Sequence, residues 1–118
     1  MIEWQPISEA DLFDRIERGY AQMPIAHQRL WNAIRIEPRK WQQHPYGDAG
    51  GGFWIVGLIG RTVVWFNDIE DGFNRSVYSE SGVIEDYWRN DDDLHITIGY
   101  LANALSGGHD LAMSSSED

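Results

Sequence analysis

Two apolar runs, Phe53-Trp54-Ile55-Val56-Gly57-Leu58-Ile59 and Thr62-Val63-Val64-Trp65-Phe66, are separated only by Gly60-Arg61. So short a connection joins strands as an antiparallel hairpin, and a strand that is apolar at both parities needs cover on both faces. Successive strand residues point to opposite faces, so Trp65 and Phe66 cannot enter the same one-sided core. A fold for this chain either places material both above and below the hairpin or leaves some of these rings at the rim of its second face.

The flanking sequence supplies that material. Ser8 suits a helix N-cap, with Asp11 three positions on in the place a capping box reserves for an acid. Leu12, Ile16, Tyr20 and Met23 then recur at helical spacing, which predicts an amphipathic helix ending near Gln22, before Met23-Pro24. Pro24 to Arg29 fit a turn or a short helix. Leu30, Asn32, Ile34 and Ile36 alternate with Trp31, Ala33 and Arg35, which predicts a first strand stopped by Pro38. The run from His44 to Gly52, with Pro45 and three consecutive glycines, is a loop by composition.

After the hairpin, Asn67 to Gly72 turn, Phe73 to Tyr78 resume extended structure, and Ser79 to Gly82 turn again into Val83-Ile84-Glu85-Asp86-Tyr87-Trp88. Leu94, Ile96, Ile98 and Tyr100 alternate like a strand, whereas Leu94, Ile98, Leu101 and Leu105 repeat like a helix. Asp91, Asp92 and Asp93 favour a helix start and the Ala-containing run 101–105 favours its continuation, leaving Ile96 outside the stripe. The expected fold class is α+β: an antiparallel meander of about four strands flanked by an N-terminal and a C-terminal helix. One domain over 1–106 and a flexible tail over 107–118 are expected from the length and from the Gly/Ser-rich end.

Charge narrows the function classes. The 118 residues carry 19 acidic and 9 basic side chains, a formal net charge of −10, with no basic cluster. Phosphate backbones and anionic lipid are repelled at long range, so neither nucleic acid nor membrane is an expected partner, while a basic protein is attracted. There is no cysteine, which removes disulfides and thiolate chemistry and fits a reducing compartment. No basic-then-apolar leader opens the sequence, and no run approaches the ~18 apolar residues of a membrane span. A cytoplasmic location is expected.

Motifs for catalysis or cofactors are weak. A calcium loop started at Asn67 would put Ile69 where an oxygen ligand belongs and Tyr78 where the bidentate Glu belongs. His27, His44, His95 and His109 show no i, i+4 pair, Gly50-Gly51-Gly52 precedes a strand rather than a helix, and no Gly-x-Ser-x-Gly elbow occurs. Asp68, Glu70, Asp71, Glu85 and Asp86 are numerous enough for paired carboxylates to arise by chance. No metal and no cofactor is expected. The aromatic side chains leave two readings open: helices and loops bury them, or some form an exposed patch rimmed by Asp and Glu, as protein-binding surfaces do.

At Gly51-Gly52-Phe53-Trp54-Ile55-Val56 and at Val64-Trp65-Phe66-Asn67-Asp68-Ile69-Glu70-Asp71-Gly72-Phe73-Asn74, joined through Gly60-Arg61, the chain resembles a group of small, largely uncharacterised acidic bacterial proteins. In size and style it is similar to immunity proteins that neutralise polymorphic toxins. The resemblance spans about residues 30 to 105 and implies a stoichiometric inhibitor whose acidic surface covers a basic toxin site. The expected partner contacts are Asp68, Glu70, Asp71 and Asn74 through charge and polarity, with Trp65, Phe73 and Trp88 as anchors. The alternative is a small enzyme or small-molecule-binding domain with its pocket between the sheet and the loop 42–52, using His44 or a carboxylate as a base. A homodimer through exposed aromatic faces is a third possibility.

Overall fold

The computed structural model describes residues 4–107. Two helices, α1 (Glu9–Ala21) and α2 (Ile25–Ile34), precede four strands, β1 (Arg35–Trp41), β2 (Phe53–Ile59), β3 (Thr62–Asn67) and β4 (Gly72–Val77), and α3 (Leu94–Gly107) follows them. The strands form one antiparallel meander in the order β1-β2-β3-β4, so the α+β architecture expected above is the one observed. Of the expected tail, Gly107 ends α3 and the remainder lies outside the described residues.

Local chemistry accounts for the helix ends. The Ser8 hydroxyl accepts from the Asp11 N–H at 3.1 Å, which meets one of the free donors of α1. Asp93 plays the same part for α3 through its main chain, accepting at its carbonyl from Ile96 and Thr97. In α3 the stripe of Leu94, Ile98 and Leu101 is buried while Ile96 is exposed, so the helical period prevails over the alternating one.

The parity of β3 divides the core in two. Val64 and Phe66 join Leu12, Ile16, Trp31, Ile34, Leu94 and Ile98 under the three helices. Val63 and Trp65 join Trp41, Phe53, Ile55 and Ile84 on the opposite face. Both faces are thus covered, helices on one side and loops on the other, and the strand rings do not form an exposed patch.

The first expected strand is corrected. Residues 25–34 are helical, with Pro24 at the N-cap, and the chain extends only from Arg35. The alternation of Leu30, Asn32, Ile34 and Ile36 competed with a helical pair, Trp31 and Ile34, and burial of that pair decides the outcome. Pro38 does not stop β1, because β1 is an edge strand whose register shifts between Arg35 and Arg39, where no ladder donor is required.

The second correction concerns 83–88, which adds no strand to the sheet. Only Val83 bridges to Gln42, and the chain then crosses the far face tied to side chains of β3 and β4. Asn67 Nδ2 donates to the Trp88 carbonyl at 2.9 Å, and the Ser76 hydroxyl donates to the carbonyl of Asp86. Asn74 exchanges two hydrogen bonds with Asn90, of 3.1 and 2.8 Å. Further on, the Phe73 N–H donates to the Asp92 carbonyl at 2.8 Å, closing the edge of β4. A Cβ on Gly72 would collide with the main chain of Asp91, so only glycine lets this segment approach so closely.

Candidate functional site

The turn between β3 and β4 carries three of the expected contact residues. Asn67 Oδ1 accepts from the N–H groups of Ile69 and Glu70 at 3.0 and 3.2 Å, an Asx-type closure of the turn. Asp71 then takes φ 64°, a left-handed conformation that Asp tolerates better than most residues. This geometry aims Glu70 and Asp71 towards α1 and the segment before α3.

Two adjoining clefts result. One, of about 490 Å³, is lined by Arg15, Arg18, Glu70, Asp71, Asp91, Asp93 and His95 among others. The other, of about 300 Å³, shares Arg15, Arg18 and Asp71 and adds Asp11, Asp14 and Asp68. Seven carboxylates therefore face this concave surface against two arginines, and both arginines are engaged within it. Arg15 pairs with Asp71 and lies 5.4 Å from the Phe66 ring centroid, and Arg18 pairs with Asp14 at 3.0 Å.

Asp68 is half-buried between the sheet and the segment before α1. Burial raises its carboxyl above the ordinary value of 3.8, against the opposing effects of the Ile7 N–H and the Lys40 charge. Its Oδ2 accepts from Ile7, and its Oδ1 is buried without a hydrogen-bond partner among the described residues. Burial likewise raises Asp92, with the neighbouring charges of Asp91 and Asp93 acting in the same direction.

The other expected contacts are not on this surface. Trp65 is 0% exposed, donates from Nε1 to Ser76 Oγ at 2.9 Å, and packs on Phe53, so it anchors the core and not a partner. Phe73, 1% exposed, lies under the helices against Phe66. Asn74, also 1% exposed, is spent on the Asn90 tether. Trp88 is half-buried, donates to Asp86 Oδ2 at 2.9 Å, and lines a separate cleft of about 280 Å³ beside Arg75 and Tyr100. The expected set is thus divided: Asp68, Glu70 and Asp71 meet on one face, Trp88 borders another cleft whose wall the largely buried Asn74 also reaches, and Trp65 and Phe73 are interior.

Sequence reasoning missed Asp11, Asp14, Asp91 and Asp93 as members of the acidic face. Asp11 and the run 91–93 were visible only as helix-start signals, and nothing in their spacing shows that α1 and α3 both begin beside the turn 67–72. The space between the sheet and 42–52 is filled with aromatic rings. Trp4 stacks on Phe53 with centroids 5.6 Å apart, and Tyr46 stacks on Tyr87 at 4.2 Å. None of the three clefts is lined by a residue of 42–52.

Among the described residues no group of three or more His, Asp or Glu is arranged to hold a metal ion, and no helix is long and apolar enough to cross a membrane. Comparison with family models, with curated proteins and with solved structures finds no match to this chain.

Proposed function

We propose that the chain is an acidic protein-binding domain, an immunity-type inhibitor of a basic bacterial toxin. The observation that carries the reading is one concave surface lined by seven acidic residues, of which Asp68 is spent on Ile7, and by two internally paired arginines. A basic patch is drawn to such a surface at long range, and the recess gives each incoming Lys or Arg several oxygens at once. The aromatic side chains act through the scaffold, since Trp65 and Phe73 are interior.

The enzyme reading has one observation in its favour, the His44 Nδ1 that lies 2.6 Å from Asp48 Oδ2 and orients the imidazole. The His44 side chain is 85% exposed, however, and it lines none of the three clefts described above. Asp68, the raised carboxyl beside the acidic face, has one oxygen bonded to Ile7 and the other buried, so neither is presented to a substrate. Binding is therefore the better reading.

The test is capture from the native cell extract with wild-type protein and with the variant Glu70→Gln/Asp71→Asn/Asp91→Asn/Asp93→Asn. A basic protein retained by the wild type and lost by the variant supports the reading. Equal recovery from both, or enrichment of acidic proteins only, rejects it.

A further inference from the structure

The segment 4–7 belongs to no helix or strand, yet Trp4 and Ile7 are both held while Gln5 and Pro6 between them are exposed. The Trp4 ring stacks on Phe53 with planes 19° apart, and it lies over Gly50, where a Cβ would run into the indole. Three residues on, Ile7 donates its N–H to Asp68 Oδ2 and accepts at its carbonyl from Trp54 Nε1 at 3.3 Å. Lys40 braces this arrangement, donating to the Gly50 carbonyl at 3.1 Å and standing 5.1 Å from the Trp54 ring centroid. A ring cradle with a side-chain clamp on one main-chain N–H and C=O is a way to hold an extended peptide without a strand ladder. Between the two anchors, Gln5 lines the cleft that also contains Asp11, Asp14 and Asp71. Arg15 and Arg18, which line the same cleft, already pair with Asp71 and Asp14, so of these three carboxylates Asp11 is the one without an ion pair among the described residues, and the Trp-Gln-Pro-Ile segment offers it no cation.

We propose that the groove under residues 4–7 is a peptide-binding site held closed in cis. Its partner is an extended peptide with a tryptophan, a basic residue directly after it, and an aliphatic residue three positions after the tryptophan. The basic residue rests on the acidic protein-binding reading; the groove does not. The chain's own segment competes at high effective concentration, and a partner displaces it by adding a cation where Gln5 now stands. That cation also favours the ionised form of Asp68, which burial disfavours.

The experiment uses the full-length chain with Trp4→Ala, which empties the cradle, and labelled peptides containing Trp-Gln-Pro-Ile or Trp-Arg-Pro-Ile, followed by fluorescence anisotropy. The glutamine peptide is expected to bind this variant about tenfold or more tighter than it binds the wild type, because the cis competitor is weakened. Adding Gly50→Ala, which fills the cradle, is expected to lower the affinity about tenfold. The arginine peptide is expected to gain a further ~10-fold at low salt, and to lose that gain at high salt. Failure of both peptides to bind the folded variant overturns the groove. Equal affinity of the two peptides overturns the basic residue while leaving the groove, and loss or retention of a basic partner by the Glu70→Gln/Asp71→Asn/Asp91→Asn/Asp93→Asn variant decides the charge reading separately. Amide exchange in the wild type provides a check that needs no substitution. The Ile7 amide should exchange about 100-fold or more faster than the amides of β3, since the occupant must leave while the sheet stays folded; equal rates would overturn the proposal.

Discussion

Asn74 holds the exposed Asn90 through both its amide nitrogen and its oxygen, so truncating it removes two part-buried hydrogen bonds that tie the 83–92 segment to β4. Asn74→Ala is expected to cost about 1–2 kcal/mol, as for a lost pair of part-buried hydrogen bonds, measured by urea unfolding. Asn74→Asp keeps the acceptor and buries a charge, and should cost more. Asp68 makes a prediction of a different kind, set by pH. Its carboxyl is raised in the folded chain, so ionised Asp68 opposes folding at neutral pH, and that cost disappears as pH falls through the raised value. Asp68→Asn should therefore be more stable than the wild type at pH 7, by a margin that narrows on acidification and closes below the unfolded value of 3.8. Unfolding free energies at several pH values check it, and a margin that widens towards low pH would refute the burial account.

At the level of elements, α2 and the chain 83–92 are where physical context outweighs pattern. Ala33 is exposed on α2, so a substitution there reports backbone preference with little packing change. Ala33→Val should lower stability by roughly 0.5 kcal/mol if this segment is helical, whereas a β-branched residue in a strand would be neutral or favourable. The hairpin of β2 and β3 was legible from two apolar runs joined by Gly60-Arg61, and α1 from its single helical period and its cap, whereas α3 carried two competing periods that the acidic run 91–93 and the Ala-containing run 101–105 decided. For α2 the two periods overlap at Ile34, and only the burial of Trp31 resolves them. For 83–88 the apolar residues looked strand-like, while the controlling groups, Asn67, Asn74 and Ser76, lie on other strands. Inward polar side chains in β3 and β4 were the available sign that a loop, tied by side chains, would cover that face. The acidic turn of the candidate site was legible as a short charged loop. Its carboxylate neighbours on α1 and before α3 were not, since only tertiary packing brings them to it.

Over the whole molecule, nine basic residues are set against nineteen acidic ones, and the recess beside the turn 67–72 concentrates that imbalance. Long-range attraction of this origin acts chiefly on association rate and is screened within about 10 Å at 0.1 M salt. Changing buried Trp65 or Phe73 should impair binding only in step with stability, whereas neutralising the rim should impair binding with the fold intact. The decisive measurement is the association rate of the captured basic partner, as a function of ionic strength, with the wild type and with Glu70→Gln/Asp71→Asn/Asp91→Asn/Asp93→Asn. The rate for the wild type should fall steeply as salt is added, and that for the variant should start at least about tenfold lower and depend weakly on salt. Identical rates and identical salt slopes for the two proteins would contradict a role for the acidic face in partner recognition.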